Sequence, residues 1–322
     1  MYYTDNGIIY LEVISMYMST KDACIKWNIS ERRIRQLLQD GRIDGAVKVG
    51  NSWNIPVDAV KPSDKRFSVY DSNFIIDLDD DYFNRVDELK RKLDSKRPLP
   101  KETLFTMKES TNLEWIYNSN GIEGNTLTLK ETSVVLEGIT IGGKSVREHF
   151  EVINHDKAIN YLDELVNDDN PITEWNIKGI HQLILRGIND DNAGRYRSEN
   201  VAIKGATHIP PDFIMVPELM ERLVSNYKEW DKYHPIIRAT LLHGELVKIH
   251  PFVDGNGRTS RLLMNLSLMN NGYNPVIIKK EDRLKYYEAL DKAHVTGDYT
   301  EFVKMITEDE IEMLERYLEI LY

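Results

Sequence analysis

The sequence predicts a mainly α-helical protein, and three observations carry that expectation. Apolar residues recur at helical spacing, as in Ala239, Leu242, Leu246 and Ile249, then Leu262, Leu263, Leu266 and Met269. Stop signals punctuate these runs. Pro251 pushes the residue before it out of the α region, and Asn270-Asn271-Gly272 closes the second run. Alternation of the β type is confined to short stretches, around 47–56 and 201–211.

At 322 residues the chain has room for two domains, one with a sizeable core. Hydrophobic residues are 41% and charged residues 29%, an ordinary globular balance. The net charge of −11 argues against a protein that coats nucleic acid nonspecifically. A single cysteine, Cys24, excludes an internal disulfide framework and fits a reducing cytosol. The N-terminus shows no basic-then-apolar leader, and no apolar run approaches eighteen residues. These features predict a cytoplasmic protein without a membrane partner.

Residues 1–62 read as a small unit. Ser19 or Thr20 can cap a helix carrying Ala23, Cys24 and Trp27, and Ser30 can cap a second, basic one. That second helix has Ile34, Leu37 and Leu38 on its apolar stripe, with Arg32, Arg33 and Arg35 elsewhere, and Gly41 ends it. A tight hairpin turning at Gly50-Asn51 follows. Helix, turn, basic helix and hairpin together resemble the winged helix-turn-helix of the MerR and excisionase type. The resemblance implies DNA as a partner; retention of the architecture for protein contacts is the alternative. Residues 63–100 read as a linker and a connecting helix, with Val86, Leu89 and Leu93 inward. Asp87/Arg91 and Glu88/Lys92 are spaced as surface pairs on it.

From residue 101 to 322 the chain reads as one helical domain built around His250-Pro251-Phe252-Val253-Asp254-Gly255-Asn256-Gly257-Arg258-Thr259-Ser260-Arg261. Gly255 and Gly257 allow close approach of backbone amides to a ligand, and the following helix points its N-terminus at the same space. Arg258 and Arg261, three apart, can hold phosphate oxygens. Asp254 supplies a hard oxygen for Mg²⁺, and His250 has the pKa of a general base. A zinc site from His243, His250 and Asp254 is the alternative; nothing of HExxH type supports it, so a packed or hydrogen-bonded His243 is expected. The stretch carries the complete signature of the Fic family and on that ground is identified as a member of it.

That resemblance implies a helical core and AMP transfer from ATP to a Ser, Thr or Tyr hydroxyl of a protein, the chain itself included. His250 would take the proton, Asp254 hold Mg²⁺, and Asn256 with the amides of Gly255 and Gly257 stabilise the α-phosphate. Arg258 and Arg261 would hold the β- and γ-phosphates. Doc-type relatives, which transfer phosphate, carry lysine where this chain has Gly257. Ser119, Glu123 and Gly124 resemble the family's inhibitory motif, in which the glutamate pairs with the second arginine, here Arg261. Glu123 also sits where a helix dipole disfavours an anion. Ile203, Lys204, Gly205, Ala206, Thr207 and His208 resemble the family's β-hairpin flap, which docks a target by strand addition. Tyr286 or Tyr287 would line the adenine pocket. The C-terminal helix with Ile311, Leu314 and Leu318 either packs on the core or mediates association, such as a homodimer. Removal of AMP from a modified protein, and a DNA-binding regulator sensing nucleotide, are the rival readings.

Overall fold

The computed structural model describes residues 17–27, 31–50, 52–61, 74–79, 81–166 and 172–321. The chain divides into two compact units, Met1–Ser72 and Asn73–Tyr322.

In the smaller unit, strand β1 (Tyr17–Met18) precedes helices α1 (Thr20–Trp27) and α2 (Glu31–Gln39). Ser19, rather than Thr20, caps α1: its Oγ accepts from the Asp22 amide at 3.2 Å, and Asp22 returns a bond to the Ser19 amide. Ser30, the expected cap of α2, lies outside the described residues. Gly41, at φ +66°, ends α2 in the left-handed region that costs glycine least. Strands β2 (Val47–Val49) and β3 (Ser52–Pro56) form the hairpin, with Val49 opposite Ser52. β1 adds to the other edge of β3, which the sequence did not signal. Ala23, Trp27, Ile34, Leu37, Leu38, Ile43 and Ile55 make one small core.

The larger unit is helical: α3 (Asn84–Asp94), α4 (Lys101–Ile122), α5 (Leu129–Leu136), α6 (Val146–Leu165), α7 (Glu174–Leu185), α8 (Val216–Glu229), α9 (Pro235–Ile249), α10 (Asn256–Asn270), α11 (Arg283–Thr296) and α12 (Thr300–Ile320). The most extensive contact is α9 against α10, the pair joined by the signature loop. α4, α6 and α7 pack on α10, while α8, α11 and α12 pack on α9. The two central helices are therefore covered on all sides, which suits their apolar composition. α3, read from the sequence as a connecting helix, packs on α12 through buried Val86, Leu89 and Leu93. Of its two expected surface pairs, Glu88 meets Lys92 at 2.6 Å. Asp87 instead accepts from Tyr273 and lies 3.1 Å from His234. Leu314 and Leu318 on α12 are buried in this unit, so that helix packs on the core.

The expected β-hairpin flap requires correction. Residues 201–209 make a turn, with the Ala206 amide donating to the Ile203 carbonyl at 3.3 Å around Gly205 at φ +83°. No ladder joins the two arms. The reason lies in their partners: the amides of Thr207 and His208 both donate to the Asp291 carboxylate of α11, at 2.8 and 3.2 Å. Those donors are spent on a side chain, so cross-strand pairing does not form.

One glycine shows how closely the centre is packed. A Cβ added to Gly244 of α9 would lie 2.4 Å from a ring carbon of Tyr299, whose hydroxyl donates to Glu245 at 2.7 Å. Gly244→Ala should therefore lower stability by about 1–3 kcal/mol, despite alanine's helix-propensity advantage of about 1 kcal/mol. Thermal unfolding would register this as roughly 2–4 °C lost per kcal/mol. An unchanged midpoint would mean that Tyr299 moves aside freely.

Candidate active site

His250 terminates α9 as its C-cap at φ 49°, ψ 58°. It is the one non-glycine residue in the left-handed region among the described residues, a placement that costs of order 1 kcal/mol or more. The strain is held by neighbours. Arg197, 3% exposed, donates from Nε to the His250 carbonyl and from its backbone amide to the Pro251 carbonyl, both at 2.9 Å. The His250 ring lies with Nδ1 3.3 Å from the Val247 carbonyl, so Nδ1 carries the proton and Nε2 the lone pair. Burial pushes the imidazole down to about 4, keeping it neutral and basic near neutrality.

The rest of the loop is held from inside. Phe252 is buried and stacks on His181 of α7 with ring centroids 3.6 Å apart. His181 Nδ1 accepts from the Gly194 amide, so its Nε2–H donates to the Asp254 carbonyl, each at 2.9 Å. His181 thus both packs on Phe252 and fixes the loop's path. Asn256, expected at the α-phosphate, has both ends of its side-chain amide engaged by Phe252. Oδ1 accepts from the Phe252 amide at 3.0 Å and Nδ2 donates to its carbonyl at 2.9 Å. Its side chain is the bracket that closes the loop.

Gly255, at φ +77°, is the N-cap of α10, and no side chain caps that terminus. The exposed amides of the first turn can therefore receive an anion. Arg258 projects from this turn only 2% exposed, 3.4 Å from Asp254 and 3.5 Å from Glu151. Among the described residues its Nε and Nη1 donors have no hydrogen-bond partner, so a buried cation here has unfilled donor capacity. Arg261, 3% exposed, is saturated. Nε donates to Ser119 Oγ at 3.0 Å and Nη2 to the Ser119 carbonyl at 2.9 Å. Nη2 also meets Glu123 Oε1 at 2.7 Å. Ser119, Glu123 and the signature are thus brought together, with Glu123 as C-cap of α4 and Gly124 following at φ +100°.

Asp254 shows what could hold a metal. Burial alone would raise its carboxyl, but Arg258 and Arg147 hold it below the usual carboxylate range. Among the described residues no cluster of three or more His, Cys, Asp or Glu side chains offers a metal site. A cation bound by one carboxylate and by substrate phosphates needs no such cluster, so the donor set fits Mg²⁺ supplied with a nucleotide. The zinc alternative has no geometry behind it: His243 is fully buried, against Ser260 Oγ at 3.2 Å and the Tyr286 hydroxyl at 2.9 Å.

The tyrosines separate. Tyr286 is 1% exposed, with its hydroxyl between His243 and Arg261 Nη1. Tyr287 is 38% exposed and donates to the Ile122 carbonyl at 3.4 Å, at the end of α4. Only Tyr287 is open to a ligand. In the flap, Lys204, Gly205 and Thr207 are exposed, Ile203, Ala206 and His208 are half-buried, and His208 Nε2 lies 2.9 Å from the Lys248 carbonyl. Sequence reasoning missed Arg197 and Arg147 altogether. Their contacts to the signature loop span 53 and 107 residues, and no local pattern marks those.

A helical core that presents a strained histidine beside an anion-receptive helix N-terminus defines a protein class. Comparison with known proteins gives the class its family. Residues 171–268 match the Fic/DOC family. The chain is 38% identical over 252 residues to Protein adenylyltransferase Fic of Nematostella vectensis, covering 75% of this chain and 56% of that one. It is 40% identical over 245 residues to the Aedes aegypti protein of the same name, covering 75% and 48%. Among solved structures, a Fic-1 fragment from C. elegans superposes with TM-score 0.67 at 34% identity, covering 75% of this chain and 72% of that one. A Fic domain containing signaling protein from Bacteroides thetaiotaomicron gives 0.68 at 30%, covering 73% and 96%. The chain belongs to the Fic family. It spans about half the length of the curated relatives it matches.

The bracket assigned to Asn256 has a direct consequence. Asn256→Ala would leave the buried Phe252 amide and carbonyl without partners, costing about 1–3 kcal/mol. Denaturant unfolding should record that loss without any nucleotide present. Unchanged stability would return Asn256 to a purely ligand-facing role.

Proposed function

We propose that this protein transfers AMP from ATP to a hydroxyl of a protein substrate, itself included, and that Glu123 restrains the reaction. The observation that carries this reading is the neutral His250, with Nδ1 on the Val247 carbonyl and Nε2 left to accept a proton, beside the uncapped N-terminus of α10. The similarity to proteins named adenylyltransferases supports it.

In the reaction, His250 Nε2 accepts the proton of the incoming hydroxyl as its oxygen attacks the α-phosphorus of ATP. The α–β bridging bond breaks and pyrophosphate leaves. The first-turn amides of α10, including that of Gly257, and Arg258 would hold phosphate oxygens, joined by the Gly255 amide once it leaves Asp254 Oδ1. Asp254 would hold Mg²⁺, which neutralises phosphate charge when bound. The exposed Tyr287 would close over the adenine, and the 203–208 turn would hold the target segment. Arg261 would hold the γ-phosphate only after releasing Glu123. Positioning and electrostatics thus supply most of the catalysis.

Glu123 could instead orient water for the removal of AMP. Its 2.7 Å contact with Arg261 favours the braking role, since a carboxylate there occupies a phosphate-binding cation. Glu123→Gly should raise AMP transfer, measured by mass increase of the protein itself, at least tenfold, equivalent to about 1.4 kcal/mol. A variant no faster than the parent and unable to remove AMP from a modified protein would reverse the assignment.

The histidine predicts a pH dependence. Its folded-state pKa is lowered to about 4, so the basic form persists above that value and is lost as pH falls through it. The acid limb of kcat/KM should lie well below the 6.5 of an ordinary histidine, and His250→Ala should lower transfer by 10²–10⁴. A limb at 6.5 or above would mean that another group is the base.

For the smaller unit we propose DNA as a partner. α2 buries Ile34, Leu37 and Leu38 and leaves Arg32 and Arg35 exposed. Arg35 is partly engaged by Glu31 at 2.8 Å, and the Arg33 side chain lies outside the described residues. Replacing Arg32 and Arg35 by alanine should weaken binding to selected DNA and flatten its salt dependence. If no sequence is enriched in a selection, the unit would serve protein contacts. No helix among the described residues is long and apolar enough to cross a membrane; with its single cysteine, we place the protein in the cytosol.

A further inference from the structure

Asp254 is not held by the signature alone. Arg147, the second residue of α6, donates from Nη2 to Asp254 Oδ2 at 2.6 Å and from Nε to Glu151 Oε1 at 3.1 Å. Arg258 stands across the same two carboxylates, 3.4 Å from Asp254 Oδ1 and 3.5 Å from Glu151 Oε1. The four side chains close a ring of alternating charge, and its two cations differ sharply. Arg258 is 2% exposed and fixed within the core, whereas the Arg147 side chain is 56% exposed. Arg147 is the member that can leave. When it does, its i,i+4 contact keeps it tethered to Glu151.

The placement of Arg147 is itself constrained. Ser145 caps α6 in a capping box with Glu148, and Glu148 also accepts from the amide and hydroxyl of Thr126. Asn125 donates to the Glu148 carbonyl and to Glu151 Oε2. Lys144 reaches back to the Thr126 carbonyl at 2.7 Å. The start of α6 is therefore stapled to the segment directly after Glu123. A divalent cation on Asp254 Oδ2 would take up the lone pair that Arg147 now holds at 2.6 Å or sit close beside the guanidinium, and the two like charges repel, so each weakens the other's hold on this carboxylate.

We propose that Arg147 is a positioning residue that competes with the divalent cation for Asp254, so that metal enters only as this arginine swings away. This rests on the reading of Asp254 as the metal ligand. Arg147 and Glu123 then act as two separate latches, one on the cation's carboxylate and one on the γ-phosphate's arginine. Arrival of a nucleotide brings negative charge that Arg147 can follow, so nucleotide and metal should favour each other's binding.

Mn²⁺ offers a readout independent of turnover. Free Mn²⁺ is titrated by electron paramagnetic resonance into the full chain with a non-hydrolysable ATP analogue, for the parent protein, Arg147→Ala, Arg147→Lys, Asp254→Ala and the Arg147/Asp254 double variant. Arg147→Ala should tighten Mn²⁺ binding about threefold to tenfold, with Arg147→Lys nearer the parent because a cation remains. Asp254→Ala should lose the site, and adding Arg147→Ala to it should then change nothing. If Arg147→Ala leaves Mn²⁺ affinity unchanged or weakens it while Asp254→Ala loses the site, the competition is wrong and the metal reading stands. If Asp254→Ala binds Mn²⁺ as the parent does, Asp254 is not the metal ligand and the competition falls with that reading.

Discussion

Two guanidiniums nearly out of solvent, on the first two turns of one helix, set the terms for the rest of the structure. Arg258 and Arg261 are 2% and 3% exposed, and each would be costly without compensating anions. Their position makes the problem harder, because the N-terminal end of α10 already carries positive partial charge. The surrounding helices answer with carboxylates and lone pairs: Glu151 from α6, Asp254 from the loop, Ser119 and Glu123 from the end of α4. Glu123 gains from the same geometry. At the C-terminus of α4 its charge is disfavoured, but it lies over the N-terminus of α10, where it is favoured. A site that must be neutralised by anions is also a site that a polyphosphate can enter.

That electrostatic demand would be useless without a rigid loop, and the loop's shape comes from three helpers outside the charge network. Arg197 binds the backbone of His250 and Pro251, His181 binds the Asp254 carbonyl, and Asn256 clasps Phe252. Each spends polar atoms on backbone rather than on ligand. The strained conformation of His250 persists because these contacts over-determine it. Catalytic placement here is thus a property of buried side-chain-to-backbone bonds, with the imidazole itself contributing one bond to Val247.

The sequence disclosed what is local and withheld what is long-range. Helical periodicity located α9 and α10, and the residues between them announced an anion site. Glu123 stood out because it violated a local rule at a helix end. By contrast, Arg147 meets Asp254 across 107 residues and Arg197 meets His250 across 53, separations at which no spacing argument operates. Asn256 shows a related limit: a side-chain amide in such a loop can face either ligand or backbone, and the fold turns this one to the backbone of Phe252. The flap shows the opposite failure. Its alternation was genuine, but Asp291 on α11 captured the amides that a ladder would need.

Gly257 ties the two halves of the site together. A Cβ there would lie 2.4 Å from Glu123 Oε1 and 3.1 Å from Arg261 Nη1. A side chain there would have to push the Glu123 carboxylate or the Arg261 guanidinium aside, so the glycine makes room for the contact between α4 and α10. On the proposed reading, the same bare backbone would let a phosphate oxygen approach the first-turn amides. One open space would then serve two anions that exclude each other. A larger residue at this position would displace Glu123 and crowd the phosphates in a single step. Restraint and transfer would be coupled by that shared space, and neither could be retuned through Gly257 without disturbing the other.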